Sequence, residues 1–212
     1  DSAPLSAKLL KNGILKTYRS RFVFFGSGYY NYDEPYTPEF PGIESFKGTV
    51  VHPQFWPEDL DYTGKKVVVI GSGATAVSMV PAMARKAAKV TMLQRSPGYL
   101  FSMQRNSLLT RTIRKVFPQS VSYWMIRFIA LMFEKLIWVL SRSAPGVVKK
   151  MVRTQNTSML PAGYPVDTDF KPRYNPWDER MCLVADGDVF EEITKGTLEV
   201  VTDLIDHVDE TG

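Results

Sequence analysis

Lys65-Lys66-Val67-Val68-Val69-Ile70-Gly71-Ser72-Gly73-Ala74-Thr75-Ala76 is the stretch on which the reading of this chain turns. Four consecutive β-branched residues make a run that reads as a strand. The glycines end it in a tight turn. Ala74 to Ala88 then carries helical spacing, with Pro81 expected to bend the helix or begin a second segment. Val90-Thr91-Met92-Leu93-Gln94 reads as the next strand. Strand, turn, helix and strand in that order define a βαβ unit, so the fold expected is α/β and Rossmann-like.

Within that unit, Gly71, Ser72, Gly73, Ala74, Thr75 and Ala76 form a G-x-G-x-x-A turn. Gly71 allows the sharp reversal, Gly73 allows backbone to approach a pyrophosphate, and Ala76 lets helix pack closely on strand. The N–H groups that open the helix, and the positive end of its dipole, favour bound phosphate. Such a turn is a weak signal alone. Its place between an apolar strand and a helix is the context that makes a dinucleotide site the expectation, with a purely structural turn as the alternative. The second strand ends in Arg95-Ser96 without a carboxylate. A carboxylate there would bind a ribose 2′-hydroxyl; a guanidinium beside a hydroxyl suits a 2′-phosphate. NADP is therefore expected over NAD, unless Arg95 is only a solvated charge at a strand end.

Outward from this core, residues 105–163 read as a helical insertion. Val121 to Leu140 is apolar enough to raise a membrane span, but Arg127, Glu134 and Lys135 interrupt it. The expectation is an amphipathic helix with a broad buried face, with association at a membrane surface as the alternative. Residues 161–178, rich in proline and aromatics, read as loop. Asp188-Val189-Phe190-Glu191 resembles a capping box ahead of a short helix ended by Gly196, and Leu198-Glu199-Val200-Val201 reads as a further strand, for which a hairpin partner is expected. Upstream, Arg21-Phe22-Val23-Phe24-Phe25 reads as a strand, and prolines at 35, 38, 41, 53 and 57 mark residues 29–61 as a connector.

Composition narrows the function classes. A net charge of +4 is mild, and the basic residues are scattered, so nucleic acid is not expected as a partner. The single cysteine, Cys182, excludes an internal disulfide and fits a reducing, cytoplasmic compartment. Its apolar neighbours make it a small core residue in preference to a catalytic thiol. His52 and His207 lie far apart in sequence with no companion cysteines, so no metal site is expected.

The most specific signal is Phe46-Lys47-Gly48-Thr49-Val50-Val51-His52-Pro53-Gln54-Phe55-Trp56-Pro57. Five fixed positions at this spacing would arise by chance in roughly one chain in 100,000 of this size. It resembles the F-x-G-x-x-x-H-x-x-x-W-P fingerprint of Baeyer–Villiger monooxygenases, met by Phe46, Gly48, His52, Trp56 and Pro57. Tyr174-Asn175-Pro176-Trp177-Asp178-Glu179-Arg180-Met181-Cys182-Leu183-Val184 resembles a later segment of the ethionamide-activating branch of these flavin-dependent enzymes. The resemblance implies FAD and NADPH as cofactors, O2 as co-substrate, and a small ketone, thioether or thioamide as substrate. It implies that the fingerprint couples movement of flavin and nicotinamide domains, with a plain connector role for His52 as the alternative. It implies that Arg180 lies against the flavin and stabilises negative charge on oxygen, unless it is a structural arginine paired with Asp178 or Glu179. A related monooxygenase acting on nitrogen or sulfur, or a non-catalytic NADP-binding module, remain the rival readings.

On the same resemblance, residues 1–45 are expected to end a first flavin-domain segment and 46–62 to link the domains. Residues 63–104 and 164–212 then form the NADPH-binding domain around the insertion. Many relatives carry lysine where Glu179 stands, which shifts the phosphate-binding task towards Arg95. The glycine turn that binds FAD falls outside these 212 residues. A piece that holds little flavin, has no activity alone and self-associates through its cut strands is therefore expected.

Overall fold

A computed structural model describes residues 5–28, 31–104 and 107–212. Contacts divide the chain into two compact units, Asp1–Glu39 and Phe40–Gly212. The first unit holds a hairpin of β1 (Leu5–Lys11) and β2 (Ile14–Ser20), paired antiparallel from Leu5 with Ser20 to Lys11 with Ile14. Its turn is Asn12-Gly13, both with positive φ, as a two-residue hairpin with the right twist requires. The strand expected at Arg21–Phe25 does not form. Those residues have no strand partner among the described residues, and Phe22, Phe24 and Phe25 stand exposed. An apolar run becomes a strand only where a neighbour takes up its N–H and C=O groups.

The second unit is α/β. In chain order it comprises β3 (Lys66–Ile70), α1 (Ala74–Ala84), β4 (Lys89–Gln94), β5 (Tyr99–Met103), α2 (Leu108–Val116), α3 (Gln119–Ser143), α4 (Pro145–Met159), α5 (Val166–Asp169), β6 (Met181–Ala185), α6 (Asp188–Lys195) and β7 (Leu198–Thr202). A parallel sheet runs in the order β3-β4-β7, and β5 and β6 form a second parallel pair. Helix α1 packs on both, and α6 packs on α1 and β7. The core joins Val77 and Val80 of α1, Val90 and Met92 of β4, Val184 of β6, Val189 and Phe190 of α6, and Leu198 of β7. This is the expected Rossmann-like fold with its helical insertion.

One helix spans Pro81, whose ring is buried, so the proline begins no second segment. Three local expectations need correction. The cap of α6 is Gly187, not Asp188: its φ of 78° is left-handed, and a Cβ there would collide with Met159. Asp188 instead accepts from the Val189 N–H at 2.9 Å. After Thr202 the chain forms no hairpin strand but folds back on residues 41–47, with Val208 N–H donating to the Pro41 carbonyl and Lys47 N–H to the Glu210 carbonyl. Finally, α3 buries only Ser122, Ile137 and Ser141, not a broad apolar face. Its contacts are with α2 and α4 along one narrow side.

Strands β5 and β6 were not legible as a pair. Gln155 of α4 serves β5 as a surrogate neighbour: its side-chain amide accepts from the Ser102 N–H at 3.0 Å and donates to the Ser102 carbonyl at 3.0 Å.

Candidate functional site

The site lies at the carboxyl ends of β3 and β4, where ligands of open parallel sheets bind. Parallel register sets Ile70 beside Leu93, and the Gly71 N–H continues the ladder by donating to the Leu93 carbonyl at 2.7 Å. The chain then leaves the sheet. Gly71 adopts a φ of 127°, and a Cβ there would meet nothing within 4 Å, so the glycine serves conformation, not space. Gly73 caps α1 without a side-chain hydrogen bond, and the first turn holds no acidic residue. The first intrahelical bond is from Val77 N–H to the Gly73 carbonyl, which leaves the amides before it for a ligand. Ala76 is buried under the turn, as close helix–strand packing requires, while Ala74 and Thr75 are exposed.

Two cations frame the turn. Arg95 and Ser96 follow directly on β4 and are exposed at the same end of the sheet as Gly71. Arg180 comes from the segment before β6, and a Cβ on Gly73 would lie 3.5 Å from its guanidinium. A Cβ at that distance would make only ordinary contact, so the guanidinium sits beside the turn without requiring glycine there. The backbone of Arg180 is held by the Tyr174 hydroxyl, which donates to its carbonyl at 3.0 Å. Tyr174 is in turn braced by Tyr99, whose hydroxyl donates to the Tyr174 carbonyl at 2.7 Å and whose ring meets it edge-on. The alternative for Arg180 is a pairing with Asp178 or Glu179. Asp178 pairs with Arg142 at 2.8 Å, and among the described residues Arg180 joins no ion pair.

Beneath the end of β4 lies a polar network that the sequence did not announce. Asp169 is buried and accepts from the Thr202 hydroxyl at 2.7 Å and the Tyr164 hydroxyl at 2.9 Å. The Gln94 amide donates to the Asp169 carbonyl at 2.8 Å and to Thr202 Oγ1 at 2.9 Å. The network ties β4, β7 and α5 together one residue before Arg95. Burial, and then the hydrogen bond to Asp169, push the Tyr164 phenol well above its ordinary value. The one sequence cue was Tyr164 within an otherwise irregular segment.

The fingerprint residues have local structural roles. The Phe46 ring covers Gly48, so that a Cβ at Gly48 would run into it. His52 caps a short 3-10 turn, its Nδ1 accepting from the Gln54 N–H at 3.2 Å. Trp56 meets Tyr62 edge-on at 6.1 Å, and Pro57 follows it at the surface. Residue 47 joins the C-terminal segment through an ion pair between Lys47 and Glu210. Cys182 is buried, and burial raises its thiol above the ordinary range, as befits a core residue. Among the described residues no three potential metal ligands cluster, and no helix is long and apolar enough to cross a membrane.

Fold and turn together define an α/β protein of the Rossmann-like class. Residues 18–195 match the family described as flavin-binding monooxygenase-like, and the chain belongs to that family. It is 46% identical over 202 residues to the FAD-containing monooxygenase EthA of Mycolicibacterium smegmatis, covering 95% of this chain and 41% of that protein. It is 43% identical to the probable FAD-binding monooxygenase AlmA of Acinetobacter baylyi, covering 93% of this chain and 40% of that one. Among solved structures, the polycyclic ketone monooxygenase of Thermothelomyces thermophila shares the fold at a TM-score of 0.65 and 17% identity, over 99% of this chain and 42% of that one. A steroid monooxygenase bound to NADP does so at 0.60 and 22%, over 84% and 41%. The chain thus spans about two fifths of the length of these relatives.

Proposed function

We propose that this chain is the NADPH-binding portion of an FAD-dependent monooxygenase. One observation carries the reading: an uncapped helix N-terminus behind a glycine turn, with the Arg180 guanidinium against Gly73 and Arg95 at the neighbouring strand end. The donor set fits a dinucleotide phosphate. The amides of Ala74 to Ala76 would hold the pyrophosphate, and Arg95 with Ser96 the 2′-phosphate. The nicotinamide group supplies a hydride when bound, and the flavin supplies the oxygen chemistry.

The chain's own residues orient and neutralise. Gly71 and Gly73 admit the phosphates to backbone distance. Arg180, a permanent cation, complements negative charge beside the turn and, in the whole enzyme, charge developing on the transferred oxygen. The FAD-containing and FAD-binding monooxygenases among its relatives support FAD and monooxygenation for the whole protein. The match is to the broad flavin-binding family, and that breadth favours the wider reading, oxidation of sulfur or nitrogen as well as ketones, over Baeyer–Villiger chemistry alone. Phe46, Gly48, His52, Trp56 and Pro57 keep the narrower reading in play, as a segment linking residues 1–45 to the NADPH-binding residues 63–104 and 164–212.

Calorimetric titration of the purified chain with NADP+ and NAD+ tests the proposal. Preference for NADP+ supports it. Equal affinities, or no binding of either, would refute it. In the full-length enzyme, product analysis with a cyclic ketone and a thioether separates the two chemistries. For the 212-residue chain alone we expect no stoichiometric flavin absorbance; one FAD per chain would overturn the view that flavin is held elsewhere.

A further inference from the structure

Helix α3 is built inside out. Its buried residues, Ser122, Ile137 and Ser141, share one side of the helix, and two of the three are polar. The opposite side carries Trp124, Phe128, Leu131 and Trp138 at i, i+4, i+7 and i+14, all exposed, with Lys135 in the same stripe. Val121, Met132 and Val139 widen it. Helix α2 adds Leu108, Leu109 and Val116, each more than half exposed. An apolar surface of this extent marks an interaction site.

Charge indicates the occupant. Residues 107–159 carry nine Lys and Arg (Arg111, Arg114, Lys115, Arg127, Lys135, Arg142, Lys149, Lys150 and Arg153) against the single acid Glu134. The rest of the chain carries 17 Lys and Arg against 21 Asp and Glu. The basic character of the protein therefore resides wholly in this helical block. Arg142 and Arg153 are engaged by Asp178 and Asp167, and the excess remains large. Tryptophan and phenylalanine on one face, among lysine and arginine, is the composition of a helix lying in the plane of an anionic lipid surface. No described helix qualifies to cross a membrane, which fits lying on one.

We propose that the outward face of α3, with α2, docks on the surface of an anionic bilayer. The inference is independent of the cofactor reading. The site sits on the enzyme's helical insertion, and would bring an apolar substrate dissolved in lipid to the protein.

The test is flotation of the 212-residue chain with vesicles of phosphatidylcholine alone or with about one third phosphatidylglycerol. Partitioning should rise at least about tenfold with the anionic lipid and fall steeply in high salt. Trp124→Ser with Phe128→Ser and Leu131→Ser, all exposed, should lower it about tenfold or more while circular dichroism stays unchanged. Lys135→Gln with Arg127→Gln should weaken binding to anionic vesicles only. Brominated lipids should quench the tryptophan fluorescence of the wild-type chain. Failure to bind anionic vesicles, binding indifferent to the triple substitution, or a dimer that the triple substitution dissolves in place of lipid binding would each overturn the proposal.

Discussion

Removing the carboxylate at the centre of the network, Asp169→Ala, should be among the most damaging single substitutions in the second unit. Asp169 is 4% exposed and is the acceptor for two hydroxyls, Thr202 at 2.7 Å and Tyr164 at 2.9 Å. Its backbone carbonyl, which receives Gln94, is unaffected. Truncation therefore leaves two half-buried donors unmatched, each worth about 1–3 kcal/mol at full burial, so the loss should be about 2–6 kcal/mol at most. In a chain of this size each kcal/mol moves Tm by about 2–4 °C. The four tryptophans, Trp56, Trp124, Trp138 and Trp177, all lie in the second unit, so urea denaturation followed by their fluorescence reads that unit alone. Tyr164→Phe should cost only about 1 kcal/mol. In the Asp169→Ala background it should cost less than that or restore stability, because it removes an orphaned donor. A loss below 1 kcal/mol for Asp169→Ala, or strict additivity of the pair, would refute this account of the network.

Further outcomes follow from the same geometry. Arg95→Ala should weaken NADP+ binding by about 10- to 100-fold, the worth of one charge-assisted contact, and leave NAD+ nearly unchanged in calorimetry. Gly71→Ala should lower affinity for both dinucleotides and cost about 1 kcal/mol in urea melts, since the φ of 127° must be kept although space is free. Asn156→Ala should change stability by less than about 1 kcal/mol despite complete burial. Its amide has no hydrogen-bond partner among the described groups, so none is lost. The phenols of Tyr164 and Tyr99 are both raised by burial, Tyr99 to about 12. A phenol whose folded value is raised stabilises fully below its ordinary value of 10.0 and loses that contribution as pH climbs above it. Denaturant midpoints should therefore fall above about pH 10, less steeply in Tyr164→Phe.

What the sequence made legible was local. Val67–Ile70, Gly71–Ala76 and Val90–Gln94 lie close together in the chain, and their strand, turn and helix signals agree, so the site's backbone could be read directly. Arg95 followed from strand direction alone. The pairing of β5 with β6 was not legible, because Tyr99–Met103 and Met181–Ala185 are separated by the whole insertion and meet only through tertiary packing. The Asn12-Gly13 turn was legible in principle: this dipeptide is the strongest short-range hairpin signal, and it was outweighed by the louder apolar run at 21–25. Arg180 was placed by resemblance. Its approach to Gly73 is a long-range fact that no spacing encodes.

Helix α3 shows where pattern reading stops. Its periodicity specifies an apolar stripe but not which side of the helix meets the protein. The obvious assignment puts the stripe inward. In the structure Ser122 Oγ is spent on the carbonyls of Ile113 and Phe117 at the α2–α3 junction, and Ser141 Oγ on Ile137. These serines make the inward side the polar one, Ser141 through its own helix and Ser122 through the backbone that leads in from α2. Tryptophans 124 and 138 are left facing away, at a cost that only a covering surface offsets. The helix therefore specifies its environment more strongly than its own fold. Its outward stripe and the cations around it are the surface that the proposed lipid contact would cover.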